Sequence, residues 1–533
     1  MNRAGFGLAG AAVATTLVVG SAGVTGSGGV AAAAPPRHTL VVATNGDDRA
    51  AGTTGHPLAT IATAVRRLPD GGTILLRGGH YSQRIALGPG VHDLTVRPFH
   101  AEHAVLDGTG LKAPAGRSAM VTVDGSRRIR VAGLDVTAYD TTASQAMPIG
   151  IYVHGAAADV ILRGNHVHSM GNYNGTLGSF DLNAHGIAVY GDSPTHPIHG
   201  MRILGNEVDH LSLGASESVV VNGNVDGWSI RRNHIHDNNN IGIDAIGFEP
   251  TLPKKYRYTR LNRARHGVIA DNTVENIVSR GNPSYFEDGS WCNCADGVYV
   301  DGGTHIRVLR NRLAGNDIGI EVAAENARGA ADHVTVADNS IRTSAYTGIA
   351  TGGYCNGASG CGGVKTGTSH HNAFVNNTLF ANNTLDDGSP EILIQYYAYA
   401  DRFENNIVYA TNLDHVLVGT VAGAARDGLS TRSRVDHNLY YADGSPASSA
   451  SFGSLGRTYV GFDRYRRASG QDRHSRFVAP RLVDPTSGDL HLRAGSPAVD
   501  AGLSQPPTVV GRYDVDGQLR VRGAGIDTGS DER

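Results

Sequence analysis

Gly186-Ile187-Ala188-Val189, Gly242-Ile243-Asp244-Ala245, Gly297-Val298-Tyr299-Val300 and Gly319-Ile320-Glu321-Val322 are copies of one phrase, a glycine leading a short apolar strand, and each runs on to an asparagine: Asn206, Asn272, Asn311 and Asn339. Four further copies complete the series: Gly150-Ile151-Tyr152-Val153 to Asn165, Ser218-Val219-Val220-Val221 to Asn233, Gly348-Ile349 to Asn377, and Glu391-Ile392-Leu393-Ile394 to Asn406. A period of roughly 20 to 40 residues, with strands too short to bury a face alone, marks a solenoid stabilised by stacking neighbour on neighbour. The strands carry no helical period, so the solenoid is all-β, a parallel β-helix. The recurring Asn fits a ladder of stacked amides at one turn, each amide both donor and acceptor.

Composition agrees. Across 533 residues there are 71 Gly, 6% aromatic and 18% charged residues, a balance that suits tight coils rather than a helical bundle. A net charge of −3, with Lys and Arg in no stripe, gives no case for nucleic acid. Met1-Asn2-Arg3, an apolar small-residue run to about Val24 and Ala31-Ala32-Ala33-Ala34 read as a secretory signal over residues 1–34. No later segment is apolar enough to span a membrane, so a secreted monomer is expected.

Export frames the cysteines. Cys292, Cys294, Cys355 and Cys361 fall in two connections, which predicts two disulfides in an oxidising compartment. Cys292 and Cys294 are close in sequence, so the favoured pairing takes each across to Cys355 or Cys361. Four thiolates on zinc is the alternative, although the spacing resembles no common zinc ribbon and no metal is expected.

Residues 35–110 read as an N-terminal cap and first coils, with a helix over His56–Val65 covering the open apolar end; residues 111–441 as the core of the solenoid; and residues 442–533 as a linker loop, Ala442 to Arg476, followed by an end segment. The opening Pro57-Leu58-Ala59-Thr60-Ile61, then Thr73-Ile74-Leu75-Leu76 and Gly78-Gly79-His80-Tyr81, resembles that of bacterial right-handed β-helix proteins of the pectate-lyase-like superfamily. The closing Gly488-Asp489-Leu490-His491-Leu492, Gly495-Ser496-Pro497-Ala498 and Asp514-Val515-Asp516-Gly517 is similar to the terminal segment of such proteins. The resemblance implies a carbohydrate-active protein whose site lies on an exposed parallel sheet, and fold alone does not name the chemistry.

Counting from the lead glycine sorts the side chains. One and three steps on are core residues; two and four steps on point outward. The outward positions are Tyr152 and His154, Ala188 and Tyr190, Val220 and Asn222, Asp244 and Ile246, Tyr299 and Asp301, Glu321 and Ala323. Aromatic rings beside carboxylates suit a sugar, which stacks its ring faces and offers its hydroxyls. At ~4.8 Å between coils, Asp301 should stand ~8 Å from Asp244 and Glu321, which are themselves ~10 Å apart. That leans towards inverting glycoside hydrolysis, for which carboxyls ~6.5–9.5 Å apart leave room for a water.

The candidate catalytic residues are therefore Asp244, Asp301 and Glu321, assisted by Asp296 and Glu217, each of which stands just before a lead residue. Tyr299, Tyr152, His154, Tyr190, Asn222, Glu249, Arg265, Glu325 and Tyr354 are candidate contacts to a poly- or oligosaccharide. The loop Pro250 to Ala264, with Tyr285, Phe286 and Trp291, is expected to wall the groove. A polysaccharide lyase is the rival reading; it would add Ca²⁺, whereas the hydrolase needs no cofactor. A non-catalytic glycan-binding β-helix is the third. A structural network of the acids with Arg263 and Arg265 is the inert alternative for the cluster.

Overall fold

Each copy of the glycine phrase folds as a strand, and consecutive copies lie side by side. In the computed structural model, which describes residues 38–357, 363–411, 417–420, 432–444 and 446–533, Ile187 pairs with Val219, Val219 with Ile243, Ile243 with Val298, Val298 with Ile320 and Ile320 with Ile349, all in parallel. Among the described residues the coils share their strands among three long parallel sheets of 13, 14 and 11 strands. The chain is an all-β right-handed parallel β-helix, the hand that strand twist imposes on parallel crossovers.

The phrase itself has a steric reason. A Cβ on Gly242 would stand 2.6 Å from the carbonyl oxygen of Gly297, and one on Gly319 would stand 2.3 Å from that of Gly348. Successive lead glycines thus let the backbones of neighbouring coils close on each other. Residues one and three steps on, such as Ile243, Val298, Val300, Ile320 and Val322, are fully buried in the main core.

The asparagines form one continuous ladder. The Nδ2 of Asn165 donates to Oδ1 of Asn206 at 2.9 Å, and the pattern repeats through Asn233, Asn272, Asn311, Asn339, Asn377 and Asn406 to Asn438 at 2.9–3.0 Å. Each Oδ1 also accepts the backbone N–H of the preceding asparagine, so a corner that sheet pairing leaves open is satisfied by side chains.

Both ends are covered. The N-terminal helix spans Ile61–Arg67 rather than His56–Val65. Asp48 accepts the N–H groups of Ala59 and Thr60 and holds that stretch extended, and the Thr60 hydroxyl caps the first turn by accepting from the Thr63 N–H. The expected loose linker of 442–476 is instead ordered: a hairpin of Ser451–Ser454 with Arg457–Val460, then a helix over Phe462–Ser469. Phe452, Phe462 and Tyr465 pack with Tyr440 over the last coil, and the Tyr440 and Tyr465 hydroxyls meet on the Asp472 carboxylate. Arg476–Phe477 adds a last parallel strand to the 14-stranded sheet, and the residues after it turn back along the solenoid's flank. Leu482, Leu490 and Leu492 join Phe380, Ile407 and Leu439, and the Asn376 side chain donates to the Asp527 carbonyl. The signal reading over residues 1–34 lies outside the described residues. Among the described residues, no helix is long and apolar enough to cross a membrane.

Candidate active site

The 11-stranded sheet carries the carboxyl-bearing residues. Its register puts Val220, Asp244, Tyr299, Glu321 and Ala350 in one row, so Asp244 and Glu321 are separated by two steps of the ladder. Two residues further along the strands, Tyr190 pairs with Asn222, Asn222 with Ile246, and Asp301 with Ala323. All of them face away from the core, as strand parity requires.

The expected open sheet is, however, roofed. Asp244 is 2% exposed, Asp296 3%, Asp301 4% and Glu321 7%. Insertions between strands tie together above them. Asn282 donates to the carbonyls of Gly214 and Asn239 at 2.7 Å, Ser284 donates to that of Ser179 at 2.7 Å, and Asp317 accepts the N–H groups of Ser279 and Ala295. On the other side Asn326 donates to Glu249 at 3.0 Å and Thr251 to Asn222 at 2.6 Å. Backbone satisfied this way can stand over a sheet without forming strands of its own.

What remains is a cavity of about 270 Å³ lined by Asp244, Asp301, Glu217, Glu249 and Glu325, by Tyr190, Tyr285 and Tyr299, by Asn183, Ser216 and Asn222, and by the apolar Met147, Ala215, Ile241 and Ile246. Among the described residues no Lys or Arg lines it; Arg117 stands beside it, its guanidinium 4.1 Å from the Tyr190 ring. Burial, then Glu217 and Asp301, hold Asp244 well above the usual carboxylate range. Burial raises Glu217 to about 8, with Glu325 and Glu249 adding to the shift. Asp301 is also raised, by burial and Glu325, although its Oδ1 accepts the Glu325 N–H at 2.8 Å. Glu325, open to solvent at the mouth but walled by protein elsewhere, is pushed to about 7 by desolvation and Glu249.

Asp296 and Glu321 do not line the cavity. Burial and the neighbouring Glu321 raise Asp296, and burial and Glu325 raise Glu321 to about 8. Gln395 donates to Glu321 at 3.4 Å. The Asp244 and Asp296 Oδ1 atoms are buried without a hydrogen-bond partner, an arrangement that calls for a proton or a ligand.

The remaining predicted contacts divide. Tyr190, Asn222, Glu249, Glu325 and Tyr299 line the cavity. Tyr152 instead stacks on His154 at 4.4 Å and meets Tyr190 edge-on at 5.9 Å between ring centroids, and His154 lies 3.6 Å from Asp124 and from Asp192. Tyr354, 48% exposed, stands near the mouth, its hydroxyl raised to about 12 by desolvation and Glu325. Arg265 is not at the site. It belongs to the 13-stranded sheet and pairs with Asp226 at 3.0 Å, while Arg263 pairs with Asp332 at 2.7 Å, so neither arginine neutralises the acids.

The cysteine pairing also differs. Cys292 and Cys294 bond to each other, with Cα atoms 5.3 Å apart. The left-handed Asn293 between them, φ 51°, folds the chain back far enough to permit what the short spacing seemed to exclude. Cys355 is disulfide-bonded too, and Cys361 lies outside the described residues.

His185 had no place in the sequence reading. It is fully buried, its Nδ1 3.0 Å from the Glu217 carbonyl and its Nε2 3.1 Å from the Tyr190 hydroxyl, and burial lowers it to about 4, so the ring is neutral. The signal was available: His185, Glu217 and Asp296 each stand one residue before a lead position, where the bend turns the side chain to the outer face.

These sheets and this cavity define the protein's class: a right-handed parallel β-helix with a roofed, acid-lined cavity on one sheet. The chain belongs to the family of the uncharacterized protein YwoF of Bacillus subtilis (strain 168), to which it is 31% identical over 462 residues, 86% of this chain and 92% of that one. No protein-family model matches it. Solved structures that it is similar to include the complex of XylC with xylose, at 12% identity and TM-score 0.49 over 92% of this chain and 98% of the other. Another is the family 28 exopolygalacturonase of Yersinia enterocolitica, at 12% identity and TM-score 0.48 over 77% and 76%. The class rests on the register of the three sheets and not on these likenesses.

Proposed function

We propose that the protein is an exported, monomeric glycoside hydrolase that takes a poly- or oligosaccharide into the cavity above Asp244. The observation that carries the reading is the lining: five carboxyl groups and three tyrosines around one cavity, with no Lys or Arg among the described lining residues and the nearby Arg117 stacked on Tyr190 at 4.1 Å. A lyase acting on a uronate needs a positive group to neutralise the substrate carboxylate. Anionic walls instead favour a neutral sugar and the positive charge that develops at its ring as the glycosidic bond breaks.

Asp244 and Asp301 are the proposed reacting pair, and Glu217 the neighbouring carboxyl that shares the limited charge the buried cluster can carry. The acid protonates the leaving oxygen while its partner, ionised, takes a proton from the attacking water. Room for that water between the carboxyls makes inversion the expected outcome. Asp296 and Glu321, both raised by burial beside the cavity, act as positioning residues that set the charge of the pair. No cofactor enters this chemistry, so chelation should leave turnover intact.

A panel of plant, algal and microbial glycans incubated with the chain, read for new reducing ends and for unsaturated-uronide absorbance, tests the proposal. Reducing ends without absorbance are expected, and Asp301→Asn should remove them while leaving the melting temperature in place. Absorbance at the uronide band, or undiminished turnover in Asp301→Asn, would overturn it.

A further inference from the structure

The 14-stranded sheet carries a second pattern, on a different face from the cavity. Five consecutive coils read Asp135-Val136-Thr137, His166-Val167-His168, Glu207-Val208-Asp209, His234-Ile235-His236 and Thr273-Val274-Glu275. The middle residue of each is buried in the core. The outer two project together from the opposite face, as alternate strand residues must.

Register makes two columns of them. Asp135 pairs with His166, His166 with Glu207 and Glu207 with His234; beside them Thr137 pairs with His168, His168 with Asp209, Asp209 with His236 and His236 with Glu275. Coils of imidazoles thus alternate with coils of carboxylates. Within each histidine coil the two rings stack at 4.0 Å between centroids, so their nitrogens present side by side.

Across coils the ligand atoms already converge. His168 Nε2 lies 3.0 Å from Asp135, His166 Nε2 2.6 Å from Asp209 and His236 Nε2 3.3 Å from Glu207. In the sets Asp135, His166, His168 and Glu207, His234, His236, one donor atom from each residue falls within 4.8 Å of the others.

We propose that this ladder binds divalent transition cations of the zinc and copper class, with Asp135, His166 and His168 forming one ligand set and Glu207, His234 and His236 a second. Two imidazole nitrogens and a carboxylate oxygen on one side, with the outward side open to water, match the donors these ions prefer. Calcium, which takes six or more oxygens, does not fit them. Two other histidine clusters are weaker hosts because arginines already hold their acids: Arg263 on Asp332 at 2.7 Å, and Arg434 on Asp436 at 3.5 Å. Among the described residues, the ion pairs of Asp135, Glu207 and Asp209 come from histidines alone. A bound ion would staple adjacent coils.

The full chain, stripped with chelator and titrated with ZnCl₂ by calorimetry, should bind about two ions saturably and melt higher as it fills. CaCl₂ should give neither effect. His166→Ala/His168→Ala and His234→Ala/His236→Ala should each lose one of the two ions, and the four-histidine variant both, with circular dichroism unchanged in the absence of metal. Copper added to the parent chain should show nitrogen splitting from two imidazoles in its paramagnetic resonance spectrum, a readout that needs no variant. Zinc binding undiminished in the four-histidine variant, no saturable binding by the parent, or an oxygen-only copper spectrum would overturn the assignment. None of these outcomes bears on the carboxyl cavity.

Discussion

Replacing Glu217 with Gln should make the protein more stable in mildly alkaline solution and leave it unchanged in acid. Glu217 is buried, and its carboxyl is raised from 4.5 to about 8 by burial, with Glu325 and Glu249 adding repulsion. In the unfolded chain it ionises near 4.5, so between that value and about 8 the folded chain holds a proton that the unfolded chain has released. Stability therefore falls as pH rises through this window, and it is flat below and above it. At ~1.4 kcal/mol per unit, the full shift corresponds to a ceiling of ~5 kcal/mol. Gln keeps the shape of the protonated acid and does not titrate, so it removes this dependence and relieves Asp244 of one repelling neighbour. Urea midpoints of the parent and Glu217→Gln should coincide at pH 5 and separate by ~2–5 kcal/mol at pH 8.5, the variant being the more stable. A constant gap at both pH values, or one that opens on the acid side, would refute the account of the cluster as proton-retaining.

Glu321→Gln should leave the fold intact and move a limb of the pH–rate profile by on the order of one unit, because the Asp296 carboxyl loses a neighbour that raises it; a profile unmoved in shape would remove Glu321 from the site. Asn272→Ala removes a side chain that accepts from Asn233 Nδ2 and N at 2.9 Å and donates to Asn311 at 2.9 Å and to the Ile230 carbonyl at 3.1 Å. With its partners left buried, it should cost ~3–5 kcal/mol, read as a lowered urea midpoint. Cys292→Ser/Cys294→Ser should lower stability by only ~1–2 kcal/mol, since the bridge closes so short a loop that little unfolded-chain entropy is removed; thermal melting without reductant measures it.

Strand direction was legible because it is a matter of counting. The lead glycines mark where coils touch, and Asn165, Asn206 and Asn233 mark the corner. From these, the shared row of Asp244, Tyr299 and Glu321 follows without coordinates. What counting could not supply was the roof. Asn282, Ser284 and Asp317 fasten their loops through side-chain bonds to distant carbonyls and N–H groups, and such bonds leave no period in a sequence. The same holds for Arg265. It was expected among the contacts to the sugar, but the connection after Glu249 carries it round a corner to the 13-stranded sheet and Asp226. The hairpin and helix after Ala442 were hidden differently: Phe452, Phe462 and Tyr465 are spaced for a cap that has no repeat to announce it.

The roof changes what the acidic row means. On an open sheet, water would screen Asp244, Asp301 and Glu217, and each would ionise near its ordinary value. Under the cover they cannot all be charged, because burial and mutual repulsion act in the same direction and no Lys or Arg among the described lining residues offsets them. Protons must therefore remain in the cluster near neutrality, and a carboxyl that keeps its proton there is the group a general acid requires. The loops that sequence periodicity could not show are in this sense part of the site. They convert a column of carboxylates into a set of acids and bases, and the alkaline gain in stability of Glu217→Gln measures how completely they do so.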